Sequence, residues 1–320
     1  MEGRQEGEVG PVILTVTLNT ALDVTYRVPS LRTGASHRVS EVLERPGGKG
    51  VNVARVLAAL GHEVTVTGFS GGLTGRVLRD RLTDVPRLTD ALVPISGTTR
   101  RTVTLADELT GATTHLNEPG PDITHAEWSA FQEVYDDLLA SASAVALCGS
   151  LPPGVPVGAY AGLVRTARAA RVPVLLDTSG TALRRGVAGR PDIIKPNAGE
   201  LAELTGFHEP LRATQDARRR GARAVVASLG AEGLLAVTPE GHWSATPPAR
   251  LAGNPTGAGD SAVAGLLAAL VEHRPWPDRL TRAVALSTAT VVSPVAGEFD
   301  RGTYQELLAK VTVTKEVSAA

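Results

Sequence analysis

A glycine-rich turn followed by a carboxylate is the stretch of this sequence best suited to chemistry. Gly257, Ala258 and Gly259 have little or no side chain, so the backbone can turn tightly where a long helix begins and leaves N–H groups unpaired. The helix dipole adds about half a positive charge there, which suits a phosphoryl group in transfer. Asp260 follows in the first turn, should stay ionised at neutral pH, and is a candidate base. An ordinary turn with a charged helix start explains this stretch equally well.

Two of the four lysines lie in glycine-rich or asparagine-rich motifs. Because the chain carries 28 arginines, each lysine it keeps is a candidate for a role that needs a compact ammonium group, although chance placement is the alternative. A P-loop is excluded because the first lysine is followed by glycine and not by Ser or Thr. The two motifs are Pro46-Gly47-Gly48-Lys49-Gly50 and Lys195-Pro196-Asn197-Ala198-Gly199-Glu200.

Composition narrows the class of protein. With 320 residues, 42% of them hydrophobic, the chain can bury a large core, and a net charge of −1 without a basic block argues against a nucleic-acid partner. The single cysteine, Cys148, cannot form an internal disulfide, and no Cys/His cluster has zinc spacing, which favours a cytoplasmic protein. No apolar run reaches the ~20 residues that span a bilayer, so we expect no membrane partner. Residues 1–10 and 314–320 are expected to be disordered tails around one domain at 11–313.

The elements that must position these motifs form an alternating series. Residues 12–18 are a continuous β-branched and apolar run, typical of a buried strand, and polar residues 19–23 follow at its carboxyl end, where ligands bind in open α/β sheets. From residue 125 onward, helical and strand patterns alternate up to two antiparallel-looking strands at 234–238 and 243–246. This order predicts an α/β fold with a parallel, doubly wound sheet flanked by helices.

Four alternating segments in the first third do not fit that sheet. They lie at 23–28, 37–43, 98–106 and 112–116, the last two joined by a turn at 108–111, which predicts a hairpin. We assign the strands from about 23–45 and 98–118 to a small β-sheet lid over the carboxyl edge of the main sheet. Arg100 and Arg101 are adjacent in one lid strand and must point to opposite faces, so at most one of them can face a given pocket.

These motifs together, from about residue 13 to residue 303, resemble those of the phosphofructokinase-B or ribokinase-like family of carbohydrate kinases. Within that family they are most similar to the 1-phosphofructokinase and tagatose-6-phosphate kinase branch. The resemblance implies a ribokinase-like fold with a β lid and a dimer formed through that lid. The matching motifs are Thr15-Val16-Thr17-Leu18-Asn19 with Asp23, Gly47-Gly48-Lys49-Gly50-Val51-Asn52-Val53-Ala54, Thr99-Arg100, Gly149-Ser150-Leu151-Pro152-Pro153-Gly154, Lys195-Pro196-Asn197 with Glu200, Ser228-Leu229-Gly230-Ala231-Glu232-Gly233, and Gly257-Ala258-Gly259-Asp260-Ser261.

The resemblance also implies a role for each matching position. Asp260 would accept the proton of the sugar hydroxyl, and Gly257, Ala258 and Gly259 would form an anion hole. The positions implied to contact the sugar are Asp23, Gly48, Asn52 and Ser150, with Arg100 and Lys49 gripping a phosphate that the sugar already carries. The positions implied to bind the nucleotide are Lys195, Asn197, Ser228, Gly230 and Gly233, with Glu200 organising Mg²⁺ indirectly together with Asn197.

The activity implied is ATP- and Mg²⁺-dependent phosphorylation of a ketohexose phosphate. Conversion of fructose 1-phosphate to fructose 1,6-bisphosphate is favoured, and tagatose 6-phosphate comes second because Asn254-Pro255 looks more like that branch. Fructose 6-phosphate and an unphosphorylated sugar stay open. A sugar-phosphate-binding regulator without catalysis is the hypothesis of another class, and the intact Asp260, Lys195 and Glu200 argue against it.

Overall fold

The computed structural model describes residues 10–251, 253–293 and 298–316. The strands are β1 Val12–Thr17, β2 Ala21–Val28, β3 Glu41–Gly47, β4 Glu63–Gly71, β5 Leu88–Asp90, β6 Val93–Ile95, β7 Arg100–Asp107, β8 Thr113–Asn117, β9 Ala142–Cys148, β10 Val174–Asp177, β11 Ile193–Ile194, β12 Ala224–Ser228, β13 Leu234–Thr238, β14 Gly241–Thr246 and β15 Thr312–Glu316. The α-helices are α1 Lys49–Ala59, α2 Gly72–Thr83, α3 His125–Leu139, α4 Ala159–Ala169, α5 Gly180–Gly186, α6 Ala198–Thr205, α7 Pro210–Arg219, α8 Ala258–Val271, α9 Trp276–Val291 and α10 Arg301–Leu308.

A large sheet runs through the molecule in the order β15-β14-β13-β12-β11-β10-β9-β1-β4-β5, with β6 also paired to β4. The strands from β12 to β5 are mutually parallel, and β13, β14 and β15 are added antiparallel at the other edge. Because β1 lies between β4 and β9, the carboxyl ends of these parallel strands meet at one edge of the sheet. The predicted doubly wound α/β fold is confirmed.

Helices cover both faces of the large sheet, which explains why its central strands read as continuous apolar runs. Successive residues of β1 point to opposite faces, so Ile13 packs in one core and Leu14 in the other. Helices α1, α8 and α9 contribute to the first core, and α3, α4 and α7 to the second. None of the helices in the described ranges is long and apolar enough to cross a membrane.

The four alternating segments form a separate four-stranded sheet in the order β3-β2-β7-β8. Strands β2 and β7 are parallel, and the predicted β7–β8 hairpin closes with a hydrogen bond from the Gly111 amide to the Asp107 carbonyl. The second segment lies later than predicted, at Glu41–Gly47 and not at 37–43, because its last two residues pair with the start of β2. That register places Arg45 and Thr102 on either side of Asp23.

The prediction of a C-terminal tail at 314–320 is wrong for its first three residues. Thr314 to Glu316 belong to β15, which pairs with β14 in antiparallel fashion. The outer edge of β14 offers unpaired N–H and C=O groups, and an added strand satisfies them. Residues 317–320 and residues 1–9 of the predicted N-terminal tail lie outside the described ranges. The sequence patterns also left α5, α9 and α10 unassigned.

Candidate active site

The start of helix α8 provides an anion site made of backbone. Gly257 caps the helix with φ 83°, a left-handed conformation that favours glycine, and, having no side chain, makes no side-chain capping hydrogen bond. Almost all residues of α8 after this turn are buried in the core, so the direction of the helix, and with it the direction of its dipole, is fixed by packing. The sequence-predicted anion hole at Gly257, Ala258 and Gly259 therefore has a backbone geometry that can receive a charged oxygen.

Asp260 lies in the first turn of α8 with 7% of its surface exposed. Burial raises the pKa of its carboxyl group to about 6, with Asp177 adding to the rise, while Lys49, the Asn52 hydrogen bond and Lys195 act in the opposite direction. Asn52 Nδ2 donates a hydrogen bond of 2.9 Å to Asp260 Oδ2. With this pKa, most Asp260 carboxyl groups are ionised at pH 7, as the sequence predicted, and the group is a stronger base than a solvated aspartate.

Two lysines flank a buried carboxylate beside this helix end. Lys49 Nζ and Lys195 Nζ each lie 3.5 Å from Asp177 Oδ1, and Asp177 is almost fully buried. Burial acts to lower the pKa of Lys49, but the negative charges of Asp177 and Asp260 outweigh it and raise that pKa. A methyl group built on Gly259 would come within 3.5 Å of Lys195 Nζ, so this ammonium group lies next to the α8 turn. Both cations are thus available to an anion bound there.

A cavity of about 1050 Å³ opens in front of the α8 turn. It gathers every residue predicted for the nucleotide, namely Lys195, Asn197, Glu200, Ser228, Gly230 and Gly233, together with Gly257, Ala258, Gly259 and Asp260. Its lining also includes the apolar side chains of Leu234, Pro247, Leu251 and Val284, which suit contact with the flat ring of a nucleotide base.

Asn197 and Glu200 form a capping box at the start of α6. Asn197 Oδ1 accepts from the Glu200 amide at 2.9 Å, and Glu200 Oε2 accepts from the Asn197 amide at 2.9 Å. Both side chains line the large cavity while stabilising the helix start. Among the described residues, no group of three or more His, Cys, Asp or Glu side chains could enclose a metal ion. This donor set suits a Mg²⁺ ion held chiefly by phosphate oxygens and water rather than one enclosed by protein ligands.

Asp23 defines a second cavity, of about 490 Å³, under the lid sheet. A methyl group on Gly47 would overlap the Asp23 carboxyl group, so only glycine leaves room for it. Burial raises the pKa of Asp23 to about 6, although a Thr102 hydrogen bond and the charges of Arg100 and Arg55 oppose the rise. Thr256 lines both cavities, so the two meet beside the α8 turn.

Arg100 faces inward and Arg101 is exposed, as their alternation requires. Arg100 Nε donates to the Asn19 carbonyl at 3.3 Å, and Asn19 Nδ2 donates to Ser150 Oγ at 3.1 Å. This chain of contacts joins the carboxyl ends of β1 and β9 to the lid. Of the residues predicted to contact the sugar, only Asp23 lines the smaller cavity; Lys49 lines the larger one, and Gly48, Asn52, Arg100 and Ser150 line neither.

Residues 15–300 match the sequence profile described as pfkB family carbohydrate kinase. The chain belongs to the pfkB family of carbohydrate kinases. It is similar to phosphofructokinase-2 from Escherichia coli, in complex with potassium, with 28% identity, TM-score 0.86, and 93% of this chain and 98% of that chain covered. A tetrameric inhibited form of the same enzyme matches with 29% identity, TM-score 0.84 and the same coverage. A Thermotoga maritima protein described as a possible 1-phosphofructokinase matches with 27% identity, TM-score 0.86, and 96% of this chain and 100% of that chain covered.

The pfkB fold also brings together residues that the sequence analysis did not select. Asp177 ends β10, and its position at the carboxyl end of a buried strand was the one available signal. Arg45 and Arg55 line the smaller cavity, and both pair with Glu298, from a segment more than 240 residues away. No local pattern marks that pairing, because it depends on how the lid and the chain after α9 meet.

Proposed function

We propose that this pfkB kinase transfers the γ-phosphoryl group of ATP to a ketohexose phosphate. The observation that carries the proposal is the buried Asp260 carboxylate at the start of α8, which lines the larger cavity four residues after Thr256, where the two cavities meet. A nucleotide in the larger cavity and a sugar in the smaller one would meet beside this turn, because Thr256 lines both cavities. A base with a pKa of about 6 at the meeting point suits proton removal from a hydroxyl at neutral pH.

The transfer follows from these groups. The sugar oxygen forms a bond to the γ-phosphorus, the bond from that phosphorus to the bridging oxygen breaks, and ADP leaves with that electron pair. Asp260 takes the proton of the attacking hydroxyl. The amides at the α8 turn, together with Lys195 and Lys49, stabilise the negative charge that develops on the transferred phosphoryl group. Mg²⁺, when bound, would neutralise charge on the phosphates, and Glu200 would hold it through water.

Positive charge on the sugar side favours an acceptor that already carries a phosphate. Arg100 and Arg55 both act electrostatically on Asp23, and Arg45 lines the same cavity. A neutral sugar needs hydrogen-bond partners such as Asp23 but does not require guanidinium groups. Because Glu298 already pairs with Arg45 and Arg55, the case for a phosphate depends chiefly on Arg100, whose guanidinium donates to the Asn19 and Glu118 carbonyls. Charge-assisted and bidentate bonds to phosphate are the contacts that arginine makes best.

Fructose 1-phosphate is the favoured acceptor, because the motif set resembles the 1-phosphofructokinase branch. Tagatose 6-phosphate is the second candidate, supported by Asn254-Pro255, and Asn254 lines the smaller cavity. Fructose 6-phosphate is the third, since a crystal structure of the Escherichia coli phosphofructokinase-2, 28% identical, contains that sugar. The hydrogen bond and charge network around Asp260 argues against a regulator without catalysis.

A dimer formed through the lid is part of the proposal. Val42 and Leu116, on the outer strands β3 and β8, are exposed. An exposed apolar surface of this kind is suited to contact with a second copy.

The test is ADP release with each of three phosphorylated sugars, fructose 1-phosphate, tagatose 6-phosphate and fructose 6-phosphate, and with fructose, tagatose and ribose. One charge-assisted contact to the sugar phosphate corresponds to roughly tenfold to a hundredfold in kcat/KM, so the phosphorylated sugars should exceed the free sugars by that factor. An Asp260→Asn variant serves as the background control. A free sugar that is turned over as well as all three phosphates would refute the phosphorylated acceptor.

A further inference from the structure

The side chain of Asn52 contacts the base directly. It lies in the first turn of α1, whose start is fixed by a hydrogen bond of 3.0 Å from the Asn52 amide to the Gly48 carbonyl. The side chain is buried, and its amide lies 2.9 Å from Asp260 Oδ2. A carboxylate only accepts hydrogen bonds, so the nitrogen of the Asn52 amide must face it. Chemistry therefore fixes which way the amide group points.

The other end of the same amide supports a dedicated role. Asn52 Oδ1 is buried and has no hydrogen-bond partner among the described residues. An apolar side chain of similar size would avoid an unpaired acceptor, which is costly in a core. An asparagine at this position is explained by the bond that Nδ2 makes to Asp260, and not by packing.

We propose that Asn52 is a positioning residue for the base. By holding Oδ2 of Asp260, it fixes the plane of the carboxyl group and leaves Oδ1 as the oxygen that takes the proton from the sugar hydroxyl. This role rests on the proposed function and is distinct from a sugar contact, because it acts through Asp260. The same hydrogen bond also lowers the pKa of Asp260, because a donor that bonds to the charged form stabilises the carboxylate.

Other charged groups around Asp260 must be held constant in any test. They are Lys49 from α1, Asp177 from the end of β10 and Lys195 from the segment after β11. Substitutions confined to Asn52 leave these three side chains in place. Asn52→Leu keeps the volume and removes both the donor and the unpaired acceptor, whereas Asn52→Asp places a second carboxyl group against Asp260.

The decisive measurement is titration of the Asp260 carboxyl carbon by NMR in the protein without substrate, with Asp260→Asn identifying the signal. Asn52→Leu should raise the pKa of Asp260 by roughly one unit, and Asn52→Asp should raise the apparent pKa of the pair by more than that. The acid limb of the kcat/KM profile, which reports the protein without substrate, should move with it. Val56→Ala, a cavity variant in the core face of α1, should lower the melting temperature and leave the pKa unchanged.

The outcomes separate the two proposals. An unchanged Asp260 pKa in Asn52→Leu, with an effect confined to KM for the sugar, would make Asn52 a sugar contact and overturn the positioning role. A raised pKa supports that role even if none of the phosphorylated sugars is turned over, in which case the proposed acceptor is the part that fails.

Discussion

Replacing Asp260 by asparagine should make the protein more stable at neutral pH while removing its activity. Burial raises the pKa of this carboxyl group from 3.8 to about 6, a difference of roughly two units, and each unit corresponds to 1.36 kcal/mol. Keeping the group ionised in the folded protein at pH 8 therefore costs about 3 kcal/mol relative to the unfolded chain. Asparagine has nearly the same shape, and its Oδ1 can still accept from Asn52 Nδ2.

The sign of the pH dependence follows from the direction of this shift. The folded state binds a proton at Asp260 more tightly than the unfolded state does, so the unfavourable contribution is absent below pH ~4 and grows as pH rises to about 6. Asp260→Asn should increase the free energy of unfolding by up to about 3 kcal/mol at pH 8, equivalent to roughly 5 °C in melting temperature. At pH 4 the variant and the parent should be equally stable.

Activity should change in the opposite direction. Loss of a positioned base lowers kcat by on the order of 10²–10⁴, with the KM values for ATP and sugar little changed. In the unaltered protein, kcat/KM should fall below pH ~6 as Asp260 is protonated. The fall should be steep, because the pKa of Asp23 is also raised to about 6 in the protein without substrate.

Chemical denaturation at pH 4 and pH 8, together with ADP release across the same range, tests both halves of this prediction. Variant and parent with equal stability at pH 8 would show that the Asp260 carboxylate is not strained by burial. Near-normal turnover in Asp260→Asn would remove this residue from the mechanism. Either result would refute the reasoning given for the α8 site.

Two further substitutions test the sugar side. Gly47→Ala should raise KM for the sugar at least tenfold, because a methyl group there overlaps the Asp23 carboxyl group. Its control is Gly162→Ala within α4, where no atom lies near the added methyl group. This control should be neutral, or should increase the free energy of unfolding by roughly 0.5–1 kcal/mol. Equal sugar KM values in the two variants would contradict this steric argument. Arg100→Ala should raise KM for a phosphorylated sugar far more than KM for ATP, and substitution of the exposed Arg101 by alanine is its matched control. If Arg101→Ala raises KM for the sugar and Arg100→Ala does not, the lid register is shifted by one residue.

The sequence alone determined the parts of this protein that depend on neighbouring residues. Gly257 followed by an apolar run predicts a tight turn and a long helix, because backbone freedom and hydrophobic periodicity act within a few residues. The alternation of strands and helices likewise predicts the parallel sheet. The capping box of Asn197 and Glu200 is local in the same sense, since its hydrogen bonds span three residues.

Relations between distant segments were decided only by the tertiary structure. Asn52 and Asp260 are 208 residues apart, and Arg45 and Glu298 are 253 residues apart, so no spacing pattern could pair them. Strand β15 pairs with β14 because the open edge of the sheet has unpaired backbone N–H and C=O groups. The short, polar sequence of β15 does not by itself indicate this pairing.

The pKa of Asp260 belongs to this second class, because it is set by burial and by three charges that the sheet order brings together. The residue types in the motifs specified the groups available for catalysis. Their protonation, partners and separation depend on desolvation and on distances through space, which arise only when β1, β9 and β10 lie side by side beneath α1 and α8.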